Sequence, residues 1–226
     1  MSVKSTAKSR HYITVAVVFI WTLITLLIIG VINRNVLSHL AGVLWLAVAI
    51  IPWWLMLLAT VIFMRRDKEG PKDLGFTKEK LWLQILLGFA VAAFTLAVFI
   101  VLPELVLGVR MGWHEPFTVW GFVSRVIFQL LAVAFVEEVV FRGHIFKKLL
   151  EIKDNKWFAI LISSALFGLF HIFNFNIWQI LVTAVMGVVW CIFREKLKHC
   201  TLLSLIIAHA LHNALMPIVI GLFFVV

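Results

Sequence analysis

Charge is scarce in this chain. Of 226 residues, 14% are Asp, Glu, Lys or Arg and 63% are hydrophobic. A soluble domain carries about a quarter charged residues, so too few polar side chains are present to cover a water-exposed surface. The same excess of apolar and aromatic residues excludes a disordered chain. Cysteine is nearly absent. Cys191 and Cys200 form no C-x-x-C pair and no disulfide framework. No H-E-x-x-H and no G-x-S-x-G occurs, which removes the zincin and serine-hydrolase signatures. Internal repeats are missing too, and with them the inverted symmetry expected of a secondary transporter.

What is present is a series of long apolar runs. Seven candidate spans lie at 12–32, 40–64, 81–102, about 124–147, 157–173, 178–194 and 201–226. The fold class is therefore all-α: a polytopic transmembrane helical bundle of about seven spans, one membrane-embedded domain over 1–226. The first run is too long for a cleaved signal peptide and is expected to remain as a helix. Pro52 lies inside the second span, Pro103 is expected to end the third, and Pro217 to break the seventh. The segment 65–80 is the one sizeable polar loop, with a Gly70-Pro71 turn.

The net charge of +9 is distributed unevenly. Placing the N-terminus in the cytoplasm puts sixteen of the twenty cations on that side, against Arg34, Arg110 and Arg125 outside and Arg142 within a span. Such a face suits anionic lipid headgroups and not nucleic acid. The expected location is an integral multi-pass membrane protein, in the plasma membrane of a prokaryote or the endoplasmic reticulum of a eukaryote.

Against this background, ionisable groups inside spans stand out, because each is costly in hydrocarbon. The fourth span carries Glu137, Glu138 and Arg142, the fifth His171, and the seventh His209, His212 and Asn213. From the nearest cytoplasmic cations, a rise of ~1.5 Å per residue places Glu137 and His209 roughly 15 Å deep, and His171 and Asn213 roughly 22 Å deep. One shared site is the economical reading. Glu138 and Arg142 are spaced i, i+4 for an ion pair on one helix face, as His209 and Asn213 are for joint presentation of an imidazole and an amide. Phe167 and His171 share a face, and Gly168 leaves room for close helix approach. His144 and His212 read as packing or interfacial residues, and His11, His39, His114 and His199 as solvated groups in tails or loops.

A buried carboxylate beside a histidine can hold and deprotonate water, and a second histidine with an amide can donate to a developing oxyanion. Those are the needs of non-covalent peptide-bond hydrolysis. A divalent metal such as zinc on Glu137, His171 and His209 is the other way to activate the same water.

The run Glu137-Glu138-x-x-Phe141-Arg142, then Phe167-x-x-x-His171, then His209-x-x-x-Asn213, resembles the three ordered motifs of the CPBP family, which includes CAAX prenyl endopeptidases and bacteriocin-processing and immunity (Abi) membrane proteins. The resemblance covers 137–213, within a three-motif core at 124–215. It implies an intramembrane endopeptidase acting on a membrane-associated protein or peptide, with a prenylated CAAX-type substrate as one option. Glu137 would activate water with His171 as partner, His209 and Asn213 would form the oxyanion site, and Glu138 and Arg142 would orient. The alternative is a non-catalytic membrane immunity or regulatory protein that uses the same polar core to bind a partner.

Overall fold

The computed structural model describes residues 3–108 and 117–223. Arg110, His114 and the last three residues of the seventh predicted span lie outside them. Among the described residues there is no strand, and the helices are α1 Val3–Asn35, α2 Gly42–Trp54, α3 Leu57–Asp67, α4 Leu81–Leu96, α5 Leu102–Leu107, α6 Val119–Phe128, α7 Ala134–Glu138, α8 Phe146–Ile152, α9 Lys156–Phe170, α10 Ile177–Lys196 and α11 Leu202–Phe223. Several join end to end. A π-helical turn, Ala97–Val101, links α4 to α5. Two more, Gln129–Val133 and Val139–Ile145, join α6, α7 and α8 into one helix, Val119–Ile152. Six helices are long and apolar enough to cross a membrane, or seven if α2 and α3, bent by 44° at their junction, count as one. The chain is an integral, multi-pass membrane protein.

Helix α1 is longer than the apolar run 12–32 suggested. Its N-terminal turns continue beyond the hydrocarbon and bring Arg10 to Asp67 at 2.9 Å. His11 therefore lies in a helix, 3.1 Å from a Glu151 carboxylate oxygen, and not in a solvated tail. The fully buried hydroxyls of Thr14, Thr22 and Thr25 donate to carbonyls one turn back in the same helix. That spends the donors where no water is available.

The prolines behave unevenly. Pro52 sits just before the bend between α2 and α3, and the carbonyl of Leu55 in that break accepts from the Trp21 indole of α1 at 2.8 Å. Pro103 does not end its span. It occupies the first turn of α5, where its missing N–H costs least, immediately after the π turn Ala97–Val101. Nor does Pro217 break the last helix, since α11 runs through it to Phe223.

Close helix approach fixes the core. A Cβ on Gly168 would stand 2.6 Å from the Ile180 carbonyl and 2.7 Å from the Ala184 Cβ, so α9 and α10 meet where a side chain has no room. The sequence reading of Gly168 was the same. A Cβ on Gly88 would lie 2.7 Å from the Ile207 Cβ, which holds α4 equally close to α11.

At the end carrying the 65–80 loop, the expected cytoplasmic groups converge. Lys148 is buried and reaches Asp67 at 2.9 Å, Glu69 at 2.5 Å and Glu151 at 3.0 Å, while Lys147 also pairs with Glu69. Burial pushes the Glu69 carboxyl up, but the two ammonium groups outweigh it and hold its pKa below the usual value. The 3₁₀ turn Pro71–Leu74 is closed by the Gly70 amide donating to Asp73, and the Leu74 carbonyl accepts from Arg194 at 3.2 Å. The loop is a floor under the bundle and not a free connection.

Candidate active site

Phe167, at 1% exposure, is the hub of the polar core. The Arg142 guanidinium carbon lies 3.8 Å from its ring centroid, the His171 ring 5.2 Å away and the His209 ring 6.0 Å away, both edge-on. One aromatic ring thus gathers the three motif segments. Phe141 packs edge-on against Phe167 and Phe170 at 5.3 and 5.4 Å.

Glu138 and Arg142 form the expected i, i+4 pair, at 3.0 Å and with no exposure of either side chain. Their spacing survives although Arg142 lies in the π turn Val139–Ile145. Arg142 also faces the Trp190 ring at 5.2 Å, and its main-chain carbonyl accepts from Arg194. Gly187 leaves the space it needs, because a Cβ there would come 2.9 Å from an Arg142 guanidinium nitrogen. A fully buried guanidinium is tolerable here because a carboxylate and two aromatic faces meet it.

The same Glu138 oxygen that accepts from Arg142 accepts from His209 Nδ1 at 2.9 Å. A carboxylate has no proton to give, so Nδ1 carries the hydrogen and Nε2 is the ring atom left for chemistry. That Nε2 points at Glu137, 3.8 Å from Oε2. This carboxylate oxygen is buried without a hydrogen-bond partner. The separation exceeds a direct hydrogen bond and suits two groups sharing one water molecule or substrate atom.

His171 caps α9, and its Nδ1–H donates to the Phe167 carbonyl at 3.0 Å, which again leaves Nε2 as the available nitrogen. Asn213 donates through Nδ2 to Gln129 Oε1 at 3.0 Å. Glu137, Glu138, Arg142 and His209 therefore make one contiguous network. His171 joins it through Phe167, and Asn213 borders it from the same face of α11 as His209. His209 thus stands beside both carboxylates, 2.9 Å from Glu138 and 3.8 Å from Glu137.

A divalent metal on Glu137, His171 and His209 has suitable donor chemistry, since both imidazoles present Nε2. Among the described residues, no three His, Cys, Asp or Glu side chains are gathered closely enough to hold a metal ion.

Sequence reasoning passed over three residues. Trp190 packs against His209 with ring centroids 4.7 Å apart and the rings tilted by 39°. Gln129 holds Asn213, and Thr95 meets His212 Nδ1 at 3.1 Å, so His212 ties α11 to α4. None has a motif to announce it: a lone Trp, Gln or Thr in an apolar run reads as packing.

Residues 119–215 match the protein family described as type II CAAX prenyl endopeptidase Rce1-like. The match takes in every motif position named above. No curated protein and no solved structure matches the chain.

Proposed function

We propose, from that partial family match and the three motifs, that this chain is an intramembrane endopeptidase of the CPBP type that hydrolyses a peptide bond in a membrane-associated, CAAX-type prenylated substrate. One observation carries the mechanism: a buried, unpartnered Glu137 oxygen faces His209 Nε2, whose ring is locked by Glu138. The water lies against Glu137, with one of its hydrogens accepted by His171 Nε2. Glu137 takes the other proton as the water oxygen attacks the scissile carbonyl, whose π electrons move to its oxygen.

Asn213 has a second amide hydrogen, not used by Gln129, for that oxyanion. The proton passes from Glu137 to His209 Nε2. His209 then donates from both nitrogens, one to the Glu138 carboxylate and one towards the reacting centre. The imidazolium is stabilised there as a buried acid stabilises a catalytic histidine in other hydrolases. Collapse of the oxyanion breaks the C–N bond, the leaving nitrogen takes the His209 proton, and a new carboxyl and amine terminus result. The arrangement needs no covalent enzyme intermediate.

The test uses purified full-length protein in liposomes and a fluorogenic farnesylated peptide ending in a CAAX sequence, with fragments identified by mass spectrometry. Wild-type protein cleaves it, and Glu137→Ala and His171→Ala do not while still accumulating in the membrane. Full activity in both variants would overturn the assignment. Cleavage absent from the wild type, with phenotype retained in a Glu137→Gln, His209→Ala double variant, would favour the binding protein instead.

A further inference from the structure

We infer that Gln129 is a positioning residue for the reaction, acting through Asn213, and that Trp54 holds the π turn that carries it. The inference rests on the endopeptidase reading above. Asn213 is useful to an oxyanion only if its amide nitrogen faces the right way. An isolated carboxamide can rotate, and its oxygen would then repel the developing charge. Gln129 Oε1, 3.0 Å from Asn213 Nδ2, is the acceptor that selects the nitrogen-inward orientation and leaves the second N–H free.

Gln129 stands at the start of the π turn Gln129–Val133, where the wider backbone changes the direction of every following side chain. Eight residues on, the same helix bears Glu137. The register of this turn therefore sets both the amide partner and the carboxylate.

Something must hold an irregular turn whose Leu131 is 51% exposed towards lipid. Trp54, at the end of α2, does so at two points. Its indole N–H donates to the Leu131 carbonyl at 2.9 Å, and its ring stacks on Phe135 at 5.3 Å and 25°. These contacts hold the middle of the turn and the residue two past its end, which is two residues before Glu137. Behind Trp54, the next carbonyl in the chain, that of Leu55, is held by Trp21 of α1. The break between α2 and α3 thus supplies a rigid clamp on the outer side of the catalytic helix.

Two measurements test this on the full-length protein. In the peptide assay, Gln129→Leu lowers kcat by about tenfold to a hundredfold with little change in KM, the loss expected from misplacing one catalytic group. The same substitution adds nothing in an Asn213→Ala background, because the two act as one unit. Trp54→Phe keeps the ring and loses the donor, and lowers kcat in the same direction by a smaller factor. Independently of any substrate, the side-chain amide resonance of Asn213, assigned by its disappearance in Asn213→Ala, shifts in Gln129→Leu. An unshifted resonance, or additive losses in the double variant, would overturn the inference. If Gln129→Leu is fully active while Glu137→Ala is dead, only the inference fails; if Glu137→Ala is active, the endopeptidase reading fails first.

Discussion

Glu138 shows how much a single buried residue can decide. One of its oxygens receives both Arg142 and His209, so it neutralises a cation, fixes an imidazole tautomer and aims Nε2 at Glu137. Glu138→Gln keeps the shape but removes the charge that supports an imidazolium. Cleavage should fall by about ten- to a hundredfold, the usual cost of losing an orienting partner, with membrane accumulation unchanged. Arg142→Met should act differently. It leaves Glu138 buried without its cation, and breaking such a pair costs about 3–5 kcal/mol, so the variant should unfold at visibly lower temperature in a detergent melt. The motif positions were legible because a carboxylate, a guanidinium or an imidazole is conspicuous in an apolar span. Their pairing was not, because sequence fixes depth along a helix far better than the direction a side chain takes across the bundle. His209 Nε2 consequently lies 3.8 Å from Glu137, a pairing that spacing along the chain does not reveal.

Among the elements, π turns separate the expected helices from the observed ones. Apolar runs located the spans, and Gly168 marked the α9–α10 approach correctly. The expectation that Pro103 and Pro217 would interrupt their helices failed, because a proline's missing N–H can be absorbed by a first turn or by neighbouring helices within a span. No composition signal announces the π turns at Gln129–Val133 and Val139–Ile145, so Gln129 went unnoticed. Helix contact also gives a sharp prediction. Gly168→Val forces a branched side chain where even a Cβ would lie 2.6 Å from the Ile180 carbonyl. The overpacking should destabilise by at least about 1–3 kcal/mol and separate α9 from α10, removing activity together with thermal stability.

Across the whole molecule, two assemblies of charged groups stand out against the apolar background. One is the buried network at Phe167, and the other the ionic floor where α1, α3, α8 and the 65–80 loop meet. The floor has its own pH signature. Glu69 titrates below its ordinary value when folded, so its contribution to stability is complete above the unfolded carboxylate pKa, near about 4.3. That contribution is lost as pH falls through the lower, folded value. The melting-temperature gap between wild type and Glu69→Gln should accordingly be constant near neutrality and close in acid; a gap that widens in acid would contradict the pairing. The fold class and the site segment were readable from hydropathy and three short motifs, whereas the floor was not, since 65–80 reads as an ordinary solvated loop. The central claim is that the Phe167-centred network cuts membrane-associated proteins. Comparative proteomics of membrane fractions from cells carrying wild-type or Glu137→Ala protein tests it most directly. A defined set of new peptide termini should be present with the wild type and missing with the variant at equal protein levels. Identical termini in both would contradict it.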